Sequence, residues 1–362
     1  MEPREFFIEE RLESYRNSCF CNLGESGFHA YRLEEIMDFA NVSGEELGKL
    51  TLNDSPNRGG NELREEISKL YPGVGADEVL VTTGTSEALY LAFHLLLKKG
   101  DRLAIYWPAF QALYEIPEML GAEILRIPVD KKLNSKDWEN VDADLYVLNQ
   151  PHNPTGAGFS SGDWEDLKQI LRKKEKPVLF DEHYRFLDFD SDLGKTGVST
   201  KDRFYGTGSF TKCMGVTGLR VGWLIADKEF VNRARSFKDY LTHTVSPISE
   251  KLALGLLKNR SRFLPEIKKE VKENLSFFYD SLSRLTDITE FSQVSGGLVG
   301  WAKLKRGISS EEYADLLMKK TGVFVLPGSN FEEEGFLRIG FGEKKERFRE
   351  GIERWTECSP LL

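Results

Sequence analysis

The chain has 362 residues, 40% of them hydrophobic, so it is long enough to bury a large core divided between two lobes. Its formal net charge of -9 argues against nucleic acid or an anionic membrane as a partner, and its four cysteines form neither a zinc-binding spacing nor a disulfide framework. The first residues are acidic where a signal peptide needs a basic start, so we expect a soluble cytoplasmic protein.

Short apolar segments alternate with amphipathic segments through the first two thirds of the chain. Strands are predicted at 79–82, 102–105, 123–126, 145–148, 178–181 and 221–225, and helices at 62–70, 86–98, 109–120 and 163–173. This alternation predicts an α/β fold, in which helices cover both faces of a mainly parallel sheet.

The pattern changes near residue 246. Strands are predicted at 297–302, 323–326 and 336–341, and helices at 265–285, 309–319 and from 343 onward. We therefore predict a large domain over 49–245, followed by a smaller α+β domain over 246–362. Residues 1–48 are predicted to form an arm with one or two short helices, the clearest at 31–40.

The chemistry of the chain is indicated by the segment 206–223, which places Lys212 among small and hydroxylic residues. A confined lysine has a lowered pKa and becomes a nucleophile towards an aldehyde. Ser209 and Thr211 offer hydroxyl groups, and Arg220 offers a guanidinium suited to a phosphate dianion. An aldehyde that carries a phosphate describes pyridoxal 5'-phosphate.

The run Ser-x-Thr-Lys212 followed by Gly-Leu-Arg220-Val-Gly resembles the Schiff-base lysine motif of class I and II aminotransferases, which are fold type I pyridoxal-phosphate enzymes. A lone lysine with a later arginine is more often structural, so the interpretation depends on further motifs. Five other motifs resemble those of the same family in the same order. The resemblance covers nearly the whole chain and implies that residues 1–48 join the smaller domain.

Two of these motifs concern the phosphate and one face of the cofactor ring. A predicted strand ends in Gly84-Thr85-Ser86 as a helix begins, so free N–H groups and the positive helix end converge there. The resemblance implies that Thr85 and Ser86 bind phosphate, while a simple helix cap is the alternative. It also implies that Phe110 lies on the ring, although the aromatic cluster 106–110 could instead be core.

Two more motifs follow predicted strands. Asn153-Pro-Thr-Gly lies in a loop at the carboxyl end of a strand, where ligands bind in α/β sheets. The resemblance implies that Asn153 bonds the ring's phenolic oxygen, with a plain turn as the alternative. The next apolar strand ends at Asp181, a carboxylate that needs a cationic partner if buried. The resemblance assigns Asp181 to the pyridine N–H and Tyr184 to the ring oxygen, and leaves His183 open between a structural and a catalytic role.

The substrate residues are assigned by the resemblance alone. Arg338 lies in an otherwise apolar strand, at the position that binds the substrate α-carboxylate in the family. The segment 22–29 resembles the part of the arm that lies over the substrate, so Gly24, like Asn153, is predicted to bind substrate. Glu25 in that segment predicts neutral or cationic amino acids over acidic ones, with a merely solvated Glu25 as the alternative.

The resemblance implies a homodimeric aminotransferase that acts on an L-amino acid and a 2-oxo acid. One departure is Asp54, which stands where many members have a tyrosine that reaches the partner's phosphate; Asn57 or Arg58 is the candidate substitute. The segment 181–186 also resembles capreomycidine-synthase-like members, so elimination or cyclisation is the alternative. A non-catalytic cofactor-binding effector domain is a remote alternative, because the arm is too short and acidic for a DNA-binding domain.

Overall fold

A computed structural model describes residues 2–129 and 132–359 of the chain. Within these ranges the strands are β1 (Cys21–Asn22), β2 (Val79–Thr82), β3 (Arg102–Trp107), β4 (Glu123–Pro128), β5 (Leu145–Asn149), β6 (Val178–Asp181), β7 (Phe204–Gly208), β8 (Gly222–Ile225), β9 (Ile288–Phe291), β10 (Val299–Leu304), β11 (Val323–Phe324), β12 (Leu326–Pro327) and β13 (Phe336–Gly340). The α-helices are α1 (Phe7–Tyr15), α2 (Leu33–Ala40), α3 (Gly44–Gly48), α4 (Asn61–Ser68), α5 (Thr85–Leu96), α6 (Ala112–Met119), α7 (Ser161–Lys174), α8 (Lys228–Lys238), α9 (Pro247–Asn259), α10 (Leu264–Ser281), α11 (Ser310–Thr321) and α12 (Lys345–Cys358).

The central sheet has seven strands in the order β2-β8-β7-β6-β5-β3-β4. Strands β3 to β7 pair in parallel, whereas β8 is antiparallel to both of its neighbours. Every residue of β2, β5, β6, β7 and β8 is buried, as expected for strands covered on both faces. The predicted α/β fold with a mainly parallel sheet is therefore confirmed.

The carboxyl ends of β2, β3, β5, β6 and β7 all meet at one edge of this sheet, because β8 alone reverses direction. The chain leaves that edge at Thr82, Trp107, Asn149, Asp181 and Gly208. Loops at such an edge form the ligand-binding crevice of open α/β sheets. The predicted motifs are thus gathered on one side of the sheet.

A second, antiparallel sheet has the order β12-β13-β10-β9 and is accompanied by α10, α11 and α12. This agrees with the α+β character predicted for the C-terminal region. The arm pairs with that region, since β1 lies parallel to β11 with Cys21 opposite Val323. The division at residues 48 and 245 stays a prediction. None of the helices formed by the described residues is long and apolar enough to cross a membrane.

Candidate active site

Asp181 ends β6 and is almost wholly buried, at 1% exposure. Its Oδ1 accepts a hydrogen bond from Thr207 Oγ1 on the neighbouring β7, 3.1 Å away. Its Oδ2 accepts one from Asn149 Nδ2 at the end of β5 (3.1 Å) and lies 3.1 Å from His183 Nδ1. Neither Thr207 nor Asn149 carries a charge, so this buried carboxylate is suited to a cation that a ligand would bring.

Lys212 lies in the loop after β7, beneath the N-terminal arm. Its Nζ donates to Ser26 Oγ at 2.8 Å, and it lies 5.4 Å from the centroid of the Phe110 ring. The carbonyl of Ser26 accepts a bond from the Tyr184 hydroxyl at 2.7 Å. Burial, and after it the positive charge of Arg338, lower the pKa of Lys212. The arm therefore contacts Lys212 and Tyr184, two of the three predicted catalytic residues, through one serine.

The predicted phosphate cradle is formed where α5 begins. Gly84 has φ +79, and a Cβ there would lie 2.6 Å from Arg220 Nη2, so the guanidinium occupies the space that a side chain would fill. Thr85 and Ser86 form the first turn of the twelve-residue α5, whose free N–H groups favour an anion. Ser209 Oγ lies 2.8 Å from Thr211 Oγ1 on the same side. This set of donors fits a phosphate group.

One cavity of about 70 Å³ joins most of the predicted cofactor residues. The predicted cofactor residues that line this cavity are Thr85, Ser86, Phe110, Asp181, Ser209, Thr211, Lys212 and Arg220. A larger cavity of about 700 Å³ adjoins it and shares Phe110, Lys212 and Arg220. The larger cavity is lined mainly by the arm and by residues 342–347, so it extends from the lysine towards the C-terminal region.

The predicted substrate residues lie next to one another. Arg338 is 1% exposed; its Nη1 donates to Asn153 Oδ1 at 3.2 Å and its Nη2 donates to the Gly24 carbonyl at 2.6 Å. Both acceptors are neutral. Among the described residues, Arg338 Nε and Asn153 Nδ2 have no hydrogen-bond partner. A buried guanidinium bonded only to neutral oxygens is suited to a carboxylate ligand.

Glu25 has a charged partner that the sequence did not indicate. Arg16 Nε lies 2.9 Å from Glu25 Oε1, and the same guanidinium lies 2.9 Å from Glu13 Oε1 and 3.4 Å from Glu9 Oε2. Three carboxylates around one guanidinium leave two negative charges in excess. Glu9, Arg16 and Glu25 all line the larger cavity, together with Glu343, Lys344 and Arg347, so its lining as a whole has no excess of negative charge.

The candidates for the missing trans tyrosine bond other parts of the same chain. Asn57 Nδ2 donates to Asp239 Oδ1 at 3.4 Å, and Arg58 contacts Asn232. Neither residue lines the cavity beside Arg220. Their role towards a partner subunit stays a prediction.

Three residues of the site were missed by the sequence analysis: Ser26, Asn149 and Thr207. Asn149 could have been found, because it ends a strand beside the one that ends at Asp181. Ser26 belongs to the segment 22–29, which the resemblance placed over the substrate, but its contact with Lys212 joins positions 186 residues apart and no motif indicated it.

Comparison with known proteins gives four results. A sequence model of the family described as "Aminotransferase class I and II" matches residues 30–354. Capreomycidine synthase from Streptomyces vinaceus is 26% identical over 365 residues, covering 98% of this chain and 92% of that protein. Aspartate aminotransferase from Sulfurisphaera tokodaii is 28% identical over 331 residues, covering 83% and 80%. Among solved structures, the PLP-dependent cyclase OrfR has a TM-score of 0.93 at 23% identity, covering 100% of this chain and 98% of that chain.

Proposed function

Because the chain belongs to the class I and II aminotransferase family, a pyridoxal-phosphate-dependent enzyme family, we propose that it moves the amino group of an L-amino acid to a 2-oxo acid. The cofactor is pyridoxal 5'-phosphate. The observation that carries the proposal is the position of Lys212, which lines two adjoining cavities. The smaller cavity contains Asp181 and Arg220, and the larger one lies next to it. A reactive amine is thereby placed between a candidate cofactor site and a larger adjoining cavity, although Gly24, Asn153 and Arg338 line neither of the two cavities.

The residues present fit the cofactor group by group. Arg220 and the first turn of α5 would hold its phosphate, and Asp181 its ring N–H. Asn153, whose Nδ2 is unpartnered, would bond the ring oxygen together with Tyr184, and Phe110 would contact the ring. When bound, the cofactor supplies an electron sink for the electron pair left by removal of the substrate Cα proton.

The chain's own side chains perform binding and proton transfer. Arg338 would bind the substrate α-carboxylate in a bidentate manner, with Gly24 and Asn153 fixing the guanidinium. Lys212 would accept the Cα proton, since its lowered pKa makes the neutral amine available. Ser26 and the arm cover the amine and limit the access of water.

A half-reaction tests the proposal. The cofactor-loaded protein is mixed with one amino acid and no 2-oxo acid. Transamination should release one 2-oxo acid per active site and leave the recovered cofactor as pyridoxamine 5'-phosphate. A Lys212→Ala variant is the control and should give neither product. Continued turnover with the cofactor unchanged would contradict transamination.

The second candidate is elimination or cyclisation of an amino acid. It is supported by the likeness to capreomycidine synthase over 98% of this chain. Elimination and cyclisation start with the same proton removal, so the residues named above serve them equally. The half-reaction separates the two candidates, because elimination or cyclisation returns the cofactor to its starting form.

We also propose a homodimer. Ser86 and Arg220 are exposed, so the phosphate end of the cavity is open in a single chain. Tyr240 is 87% and Leu52 72% exposed, and the Tyr240 loop reaches the start of α5, where Thr242 Oγ1 donates to Glu87 at 2.6 Å. Such apolar exposure beside an open site suits a second copy of the chain. Light scattering should give twice the mass of the chain, and a fully active monomer would refute the dimer.

A further inference from the structure

His183 has no part in the proposed function, yet it lies in the centre of the site. It is 6% exposed and lines the same cavity as Asp181 and Lys212. Its Nδ1 lies 3.1 Å from Asp181 Oδ2, and its Nε2 has no hydrogen-bond partner among the described residues. Its ring centroid lies 4.0 Å from that of Tyr184. The imidazole is thus held at one nitrogen only.

The partner of Nδ1 identifies the tautomer. An ionised carboxylate can only accept hydrogen bonds, so Nδ1 carries the proton that faces Asp181. Asp181 Oδ2 is therefore the acceptor of the Nδ1–H, and His183 holds this oxygen through the nitrogen that has a partner among the described residues.

His183 is one of three donors that fix the Asp181 carboxylate. Thr207, on β7, donates to Oδ1 of Asp181. Asn149, at the end of β5, and His183, in the loop after β6, both donate to Oδ2. Asn149 Nδ2 also lies 3.5 Å from His183 Nδ1, so the two donors converge on the same oxygen. Without the imidazole, Oδ2 would keep a single donor, and the carboxylate would be freer to rotate.

We propose that His183 is a positioning residue that acts through Asp181. Its Nδ1–H holds the carboxylate in the orientation in which Asp181 binds the cofactor's ring N–H. This inference rests on the proposed role of Asp181, but it does not depend on whether the reaction is transamination, elimination or cyclisation.

The test compares two cofactors on the apoprotein, namely pyridoxal 5'-phosphate and its 1-deaza analogue, in which carbon replaces the ring nitrogen. Both carry the same aldehyde and phosphate, so the ratio of their dissociation constants measures the contribution of the ring nitrogen to binding. In His183→Ala, we expect the preference for the natural cofactor to fall by roughly tenfold or more, the value of a hydrogen bond to a charged group. Affinity for the analogue should stay unchanged.

Two amide variants give matched controls. His183→Asn places its amide nitrogen near the position of Nδ1 and should restore the preference. His183→Gln places its amide near the position of Nε2 and should behave like His183→Ala. Thermal unfolding of each apoprotein checks that the variants are folded.

The inference is overturned if both affinities fall together in His183→Ala, since that indicates a merely structural role. It is also overturned if His183→Asn fails to restore the preference. Asp181→Asn shows which assumption is at fault if the test fails. If this variant keeps the wild-type preference for pyridoxal 5'-phosphate over the 1-deaza analogue, Asp181 does not bind the ring nitrogen. His183 then has no carboxylate to position for it. Neither result bears on the half-reaction that tests the proposed function.

Discussion

Replacing Arg338 with methionine removes the guanidinium and keeps a side chain of similar length. In the folded protein Arg338 is buried and bonded only to the Asn153 side chain and the Gly24 carbonyl. The substitution therefore breaks no ion pair with these two neighbours. We expect Arg338→Met to stay folded and to bind cofactor, and to lose affinity for the substrate carboxylate.

The size of the loss follows from the two terminal nitrogens. Each hydrogen bond between charged groups contributes about 1.5–3 kcal/mol, so a bidentate pair contributes about 3 kcal/mol or more. Every 1.4 kcal/mol corresponds to about a tenfold change in rate or affinity, and so kcat/KM should fall by about a hundredfold or more.

The assay measures kcat/KM for the best amino acid and for the amine that lacks its carboxylate. Wild type should prefer the amino acid, whereas Arg338→Met should lose that preference and leave the amine rate unchanged. Cofactor occupancy and thermal unfolding serve as controls for folding. A drop of less than about tenfold for the amino acid, or an equal drop for the amine, would show that Arg338 does not bind the carboxylate.

Four further predictions concern Lys212, Asp181 and Glu25. In Lys212→Ala, borohydride should no longer attach the cofactor covalently to the protein. A covalent adduct that still forms would show that another residue binds the cofactor aldehyde. Burial lowers the pKa of Lys212 below 10.5, so the unfolded chain binds the Lys212 proton more readily than the folded chain does. The buried lysine therefore destabilises the fold. This effect is complete at pH values below the lowered pKa and vanishes as the pH rises past about 10.5. Without cofactor, Lys212→Met should therefore be more stable than wild type near neutral pH, as measured by urea unfolding. This difference in stability should shrink when the measurement is repeated at higher pH, and a difference that does not change with pH would contradict the argument. Asp181→Asn should slow exchange of the substrate Cα hydrogen, measured by NMR in deuterium oxide, and near-normal exchange would contradict its role. Glu25→Gln should weaken the preference for arginine and glutamine over aspartate, and an unchanged ranking of kcat/KM would show that Glu25 is merely solvated.

The sheet was largely predictable from the sequence because its strands are short apolar runs between amphipathic helices. The predicted strand at 178–181 coincides with β6, and that at 79–82 with β2. Strand β7 was missed, since Phe-Tyr-Gly-Thr-Gly contains two glycines and has a low strand propensity. Its pairing with β6 on one side and β8 on the other overrides that propensity.

The candidate site was predictable wherever one motif carries its own chemistry. Lys212, Asp181 and Arg220 lie on one cavity, as the motifs indicated, although their roles stay a prediction. Contacts between distant segments were not predictable. Arg16 beside Glu25 and Ser26 beside Lys212 depend on how the arm is placed, and no local pattern encodes that placement.

The pairing of β1 with β11 affects the order in which the protein can be assembled during synthesis. Cys21 lies opposite Val323, so the strand that leads into Gly24 and Ser26 has no partner until some 300 later residues have left the ribosome. Until then Lys212 lacks the Ser26 contact, and Arg338 has not yet left the ribosome. A nascent chain that already contains the whole central sheet therefore still lacks the Ser26 contact with Lys212 and the guanidinium of Arg338.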